Sequence, residues 1–207
     1  MTPKSGNSDD VPIVCIGLSA GATKPLQELF RALSPDTGMA FVVIHHLRKE
    51  HPTLLPSILS HCTKMKTELV KPGMSIEPNH VYILPSGAEI TISDATLALQ
   101  PRTMRRGWSN VVTIFLASLT RSNHPGIAVI LSGMDEDGSA GLKAFKQHGG
   151  ITIAQAPRTA MNPEMPDAAI RTGATDYVLP PEAIATQLEK IAADLNKCVA
   201  SRVAVQP

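Results

Sequence analysis

Aromatic side chains are scarce in this sequence: one Trp, two Tyr and four Phe make up 3% of 207 residues. Single-stranded nucleic acid is gripped by flat rings on which bases stack, so the composition argues against that class and leaves the core to aliphatic side chains. Cysteine is sparse too. Cys15, Cys62 and Cys198 are odd in number, far apart and in no metal-binding spacing, which argues against a disulfide framework. Cys15 stands in an apolar run and reads as a small buried hydrophobe. An excess of one charge is missing, since 19 Lys and Arg face 18 Asp and Glu. The chain therefore lacks the electrostatic footprint for duplex nucleic acid or an acidic membrane surface. No apolar run reaches the length of a membrane span, and the polar start MTPKSGNSDD has no signal-peptide core. A soluble, cytoplasmic protein with no membrane insertion and no nucleic-acid partner is expected.

What the chain has is alternation. VPIVCIG is followed by Leu26, Leu29, Phe30 and Leu33 at helical spacing, then by MAFVVIHH, the grammar of a βαβ unit. Leu54, Leu55, Ile58, Leu59 and Cys62 form another helical stripe. The short runs TELV, HVYILP, EITIS and TLALQ then read as a small antiparallel insertion or edge. A helix with Val112, Phe115, Leu116 and Leu119 leads to GIAVILSG, a helix with Leu142 and Phe145, and ITIAQ. A helix begun by Asn162 and Pro163, a strand around DYVLP, and a helix with Ile184, Leu188, Ile191 and Leu195 follow. The expected fold class is α/β: a three-layer α/β/α, doubly wound domain with a mostly parallel sheet. It is expected to span residues 11–196, between a disordered segment at 1–10 and a tail or linker at 197–207.

In such a sheet, ligands bind beyond the carboxyl ends of the strands. Three segments qualify. Gly17, Ser19 and Gly21 form a GxSxG pattern between the first strand and the first helix. A tight turn there projects a serine away from both elements, and the helix start offers unpaired N–H groups to a developing negative charge. The plainer reading is a Gly-rich turn that only redirects the chain. His45 and His46 end the second strand; neighbours on a strand face opposite ways, so only one of them can point at Ser19. GMDEDG follows the strand GIAVILS, and among Asp135, Glu136 and Asp137 the sequence does not choose; Asp137 also suits the N-cap of the next helix. Serine, histidine and carboxylate on adjacent strand ends can serve as nucleophile, base and orienting acceptor.

Rival motifs fit less well. GLSAGATK has neither the spacing of a phosphate loop nor a GxGxxG fingerprint, DEDG lacks the remaining calcium ligands, and no HExxH is present. No metal and no cofactor are expected. The α/β-hydrolases share GxSxG but run Ser, Asp or Glu, then His, whereas here the order is Ser, His, Asp.

GLSAGA after the first strand, IHHL after the second, ILSGMDEDGSAG, EMPDAAI and GATDYVL together resemble the catalytic domain of the chemotaxis protein-glutamate methylesterases, the CheB family, over residues 12–195. The resemblance implies a catalytic set of Ser19 as nucleophile, His46 as base and Asp137 as carboxylate, with oxyanion-binding backbone amides at Ala20 and Met134. It implies hydrolysis of glutamate γ-methyl esters, and deamidation of particular glutamines, on a methylated chemoreceptor or receptor-like protein. Arg105 and Arg106, with Arg102 and Trp108, are candidates for lining a groove for an acidic receptor helix; the plainer reading is a solvated loop.

The chain also departs from the family pattern. Where many members read Ser-Thr-Gly-Gly, it has Ser19, Ala20, Gly21 and Ala22, losing a hydroxyl beside the nucleophile. RRGWSNVV puts Asn110 or Val111 at a position where members carry an acid. The ten residues before the first strand leave no room for a phosphoacceptor receiver domain, so control by a separate receiver or methyltransferase partner, or membership of a larger fused protein, is expected. A fold that binds a signalling partner without useful turnover is the alternative reading.

Overall fold

The structure, a computed structural model, describes residues 11–45, 53–102 and 110–203. In chain order its strands are β1 (Ile13–Leu18), β2 (Ala40–His45), β3 (Lys66–Leu69), β4 (Met74–Ser75), β5 (His80–Ile83), β6 (Ala88–Ser93), β7 (Thr96–Pro101), β8 (Gly126–Ile130), β9 (Ile151–Gln155) and β10 (Tyr177–Leu179). Seven of them form one sheet in the order β10-β9-β8-β1-β2-β5-β3, with every pairing parallel. β1 sits at its centre, and the strand order runs one way through β2 and the other way through β8. That reversal opens a crevice beyond the carboxyl ends of β1 and β8, where doubly wound sheets bind their ligands.

Helices cover both faces. The helices are α1 (Thr23–Ala32), α2 (Leu55–Ser60), α3 (Val111–Arg121), α4 (Ser139–Gln147), α5 (Glu164–Arg171) and α6 (Pro181–Val203). Side-chain alternation along the strands sorts the core into two layers. Val14, Ile16 and Leu18 pack with Leu26, Leu29 and Phe30 of α1, Leu59 of α2, and Ile184 and Leu188 of α6. Ile13 and Cys15 point the other way, into Val112, Phe115 and Leu116 of α3, Phe145 of α4 and Met165 of α5. Aliphatic packing dominates, as the composition requires, with one edge-to-face pair, Phe30 and Phe41, at 5.6 Å between centroids. Burial pushes the Cys15 thiol up, and the negative charge of Asp137 adds to the shift, so this cysteine is a core residue and not a nucleophile. No helix among the described residues is long and apolar enough to cross a membrane.

The expected α/β class is the observed one, with two differences in detail. TELV and HVYI do not belong to an antiparallel insertion: they are β3 and β5 of the parallel sheet. His80–Ile83 is buried at all four positions, the continuous burial of a strand covered on both faces. Only EITIS and TLALQ pair antiparallel, as β6 and β7, with the two-residue β4 completing a small sheet against α3. Their turn places Asp94 and Ala95 at φ 45° and 58°, the left-handed pair of a tight hairpin. The second difference is α6, which runs to Val203, past the expected boundary at 196. Residues 197–203 contain no Gly or Pro to stop it.

Candidate active site

Ser19 is the first residue beyond β1 and continues the face of Ile13, Cys15 and Gly17, the face under α3. Its N–H donates to Ser132 O at 3.0 Å, one step beyond the bond from Leu131 N to Gly17 O at 2.9 Å. The β1–β8 ladder therefore extends through the serine before the chain turns. Ala22 N then reaches back to Ser19 O at 3.4 Å, and α1 begins at Thr23 behind an N-cap, Ala22, whose side chain makes no capping bond. Ser19 stands half-buried and Ala20 exposed, while Ala22 is fully buried. Of the two alanines that depart from the family pattern, only Ala20 faces outward.

The glycines of the GxSxG pattern make room for neighbouring side chains. A β-carbon at Gly17 would lie 2.8 Å from Val112 Cγ1 of α3, and one at Gly21 would lie 2.8 Å from Asn162 Nδ2 and from Met161 Cβ. Gly21 also sits at φ +75°, a backbone state that L side chains avoid.

The facing wall is the segment after β8. A β-carbon on Gly133 would lie 2.8 Å from Ser19 Cβ and would run into Met165 Sδ, so the backbone here passes directly against the serine. Gly133 N donates to Asn162 O at 3.0 Å, and Gly133 O accepts from Met165 N at 3.0 Å. In a trans peptide the C=O and N–H point in opposite directions, so the Met134 N–H is turned away from α5. The Met134 side chain is 65% exposed.

Asp137 is buried at 5% exposure, on the Cys15 side of the sheet. Its Oδ2 accepts from Val112 N at 2.8 Å, and its Oδ1 from Thr113 N at 3.0 Å, Thr113 Oγ1 at 2.8 Å and Gly138 N at 2.7 Å. The carboxylate thus caps the N-terminus of α3, in the sense the helix dipole favours. The helix that follows Asp137 is not the one it caps: α4 begins behind Gly138, at φ +91°. The formal N-cap of α3, Asn110, makes no side-chain capping bond, so Asp137, 25 positions beyond Val112, fills that role.

Ser19, Ala20, Met134 and Asp137 thus gather at the crevice between β1 and β8. His45 ends β2 in register with Leu18, and alternation puts it on the face of Phe41 and Val43, opposite α3. His46, Arg105, Arg106 and Trp108 lie outside the described residues. Two clefts lie near this edge, one beside Met134 and Asp137 and the other beginning at Gly21. One, of about 500 Å³, is lined by Asn110, Met134, Asp135, Glu136, Asp137 and Glu164 among others and is acidic, with Glu136 paired to Arg171 at 2.8 Å. The other, of about 530 Å³, runs from Gly21 past Lys24, Glu28, Arg158 and Met161 to Glu182.

Sequence reasoning missed the polar side chains that tie these pieces together. Ser132 is fully buried, and its N–H donates to Gln155 Oε1 at 2.9 Å. Gln155, also fully buried, passes the chain on to Thr159 Oγ1 at 3.2 Å. Asn162 Nδ2 donates to Ala20 O at 3.0 Å. The one available signal was a polar residue ending an apolar strand, Gln155 after ITIA, on the edge where the ligand belongs.

Fold and site together define a class: a doubly wound α/β domain that presents a serine on the turn from its central strand into a helix, at the point where the strand order reverses. Residues 14–188 match the family model described as CheB methylesterase, and the chain belongs to the CheB methylesterase family. It is 31% identical over 185 residues to a protein-glutamate methylesterase/protein-glutamine glutaminase of Geobacillus kaustophilus, covering 86% of this chain and 53% of that one. A Bacillus subtilis protein of the same description is 29% identical over 203 residues, covering 95% of this chain and 54% of its own length. The chain therefore spans about half the length of the curated relatives it matches. The crystal structure of the Thermotoga maritima CheB methylesterase catalytic domain superposes with a TM-score of 0.78 at 26% identity, covering 88% of this chain and 99% of that one.

Proposed function

We propose that this chain is a cytoplasmic serine hydrolase that cleaves γ-methyl esters of glutamate side chains on chemoreceptors or receptor-like proteins, and deamidates glutamines there. Ser19 is the nucleophile, His46 the general base and Asp137 the carboxylate that holds the imidazole. The observation that carries this reading is the elbow: a half-buried serine at the strand-order reversal, pressed against the Gly133 backbone, with Asp137 buried on the same side of the sheet.

In this mechanism Ser19 Oγ attacks the ester carbonyl while His46 takes its proton. The negative charge that develops on the carbonyl oxygen is met by the backbone N–H groups of Ala20 and Met134. The tetrahedral adduct collapses, the C–O bond to the methoxy group breaks, and His46 returns the proton to release methanol. Water then attacks the glutamyl-Ser19 ester, again losing a proton to His46, and the products are a free glutamate side chain and the regenerated serine. With a glutamine substrate the leaving group is ammonia. No step calls for a cofactor.

Ser19→Ala is expected to abolish methanol release from methylated receptor without changing the far-ultraviolet circular dichroism spectrum. Turnover that survives this substitution would reject the assignment. A fluorophosphonate probe separates the enzyme from a binding module of the same fold: labelling at Ser19 that is lost in His46→Ala belongs to the enzyme, and no labelling at any pH belongs to the module. Regulation by a separate receiver domain or a methyltransferase module belongs to the same proposal, and phosphorylated receiver protein added in trans is expected to raise the labelling rate.

A further inference from the structure

The carbonyl of Ala20 receives two side-chain hydrogen bonds from parts of the chain far away in sequence. Ser132 Oγ lies 3.0 Å from Ala20 O, and Asn162 Nδ2 lies 3.0 Å from the same oxygen. A carbonyl oxygen only accepts, so the Asn162 amide must present its nitrogen there. The backbone of Asn162 is engaged as well: its N–H donates to Ser132 Oγ at 3.0 Å, and its O accepts from Gly133 N at 3.0 Å. Ser132 Oγ also stands 3.2 Å from Asn162 O, so its single proton is shared between two carbonyls. One asparagine thus holds the turn after Ser19 with its side chain and the Gly133–Met134 segment with its main chain.

We infer that Asn162, seconded by Ser132, is a positioning residue for the proposed hydrolase: it sets the spacing between the Ala20 and Met134 amides that meet the oxyanion. The inference rests on the reading above. Neither residue is assigned a contact with the ester. Their bonds fix the Ala20–Gly21 and Ser132–Gly133 peptides, each of which shares an α-carbon with the peptide that carries the Ala20 or Met134 N–H, so a rotation of the held peptide turns the neighbouring N–H away from the developing charge. Pre-aimed amides are worth most when they need not reorganise during reaction. A displacement of about 1 Å at such a site can cost on the order of 100-fold in rate.

Asn162→Ala removes the side-chain carboxamide, and with it the Nδ2 bond to Ala20 O, while both backbone bonds of residue 162 can stay in place. The expected result is a fall in kcat of about 10- to 100-fold with KM changed less than about 2-fold. The rate of fluorophosphonate labelling at Ser19 is expected to fall in parallel. Asn162→Asp keeps the shape but turns a second acceptor toward the Ala20 carbonyl, and it is expected to lose at least as much as the alanine variant. A double-mutant cycle with Ser132→Ala is expected to be non-additive, since both side chains hold one oxygen. A merely structural role would lower the melting temperature and leave kcat, measured well below it, unchanged. Wild-type labelling together with a full rate in Asn162→Ala would overturn the inference. Wild type that is never labelled at Ser19 would overturn the hydrolase reading itself.

Discussion

Met165 fills the space that a side chain at Gly133 would need, and Ser19 closes it from the other side. Gly133→Ala must therefore displace the serine, the methionine or the backbone between them. Overpacking of this sort costs about 1–3 kcal/mol. The expected outcome is a lower melting temperature and loss of probe labelling at Ser19, both read on the same purified protein. Ala20→Thr makes a contrast: the position is exposed, so stability should stay within about 0.5 kcal/mol of wild type while turnover changes. At this scale the sequence was partly legible. The turn that carries Ser19 could be placed because an apolar run before the glycines and a helical stripe after them mark a passage from strand to helix. Asn162 could not, because an asparagine before a proline reads as a helix start, and nothing local reveals that its amide reaches a turn 142 residues away.

The helix α3 depends on a carboxylate borrowed from another element. Removing it in Asp137→Ala leaves the N–H groups of Val112 and Thr113 without their partner, at a cost of about 1–3 kcal/mol. The same fall in stability is expected in Ser19→Ala/Asp137→Ala, which separates the capping role from any part in turnover; urea titrations of the two variants check it. The joint between α4 and β9 has its own carboxylate. Lys146 Nζ lies 2.7 Å from Asp176 Oδ1, and Thr152 donates its N–H and its hydroxyl to Oδ2 at 2.9 and 2.8 Å. Burial alone would raise the Asp176 carboxyl, but Lys146 and the Thr152 bonds outweigh it and hold the group below the usual carboxylate range. A depressed folded value means stability that is present above the unfolded value of about 3.9 and is lost as pH falls through the folded one. Wild type is thus expected to exceed Asp176→Asn in stability at pH 7, with the gap narrowing below about pH 4, as urea unfolding at both pH values would show. Element identity was mostly readable from periodicity. The failures, TELV and HVYI, are short runs whose partners are fixed by the order of strands across the sheet, and that order leaves no mark within four residues.

At the scale of the whole molecule, alternation of apolar strands and amphipathic helices made the three layers legible, while the strand order had to be seen. The outcome puts β1 between β2, its near neighbour in sequence, and β8, a distant one. Every wall of the crevice is then supplied by a different stretch of chain: the elbow by residues just after β1, the facing amide by the segment after β8, and the bracing asparagine by the approach to α5. A chain cut after Gln155 keeps Ser19 and Asp137 but loses Asn162, Met165 and the α6 side chains Ile184 and Leu188 that cover the α1 face. Such a fragment is expected to leave Ser19 unlabelled by the fluorophosphonate, and labelling at the full-length rate would show that the bracing is dispensable.

The 142 residues between the Ala20 carbonyl and its Asn162 clamp also set a schedule. Bacterial or not, a ribosome adds about 5–20 residues per second, so the serine emerges many seconds before the amide that steadies the turn beside it. A nascent chain therefore exposes Ser19 before Asn162 can hold the neighbouring turn, and the brace forms only once synthesis has passed residue 162.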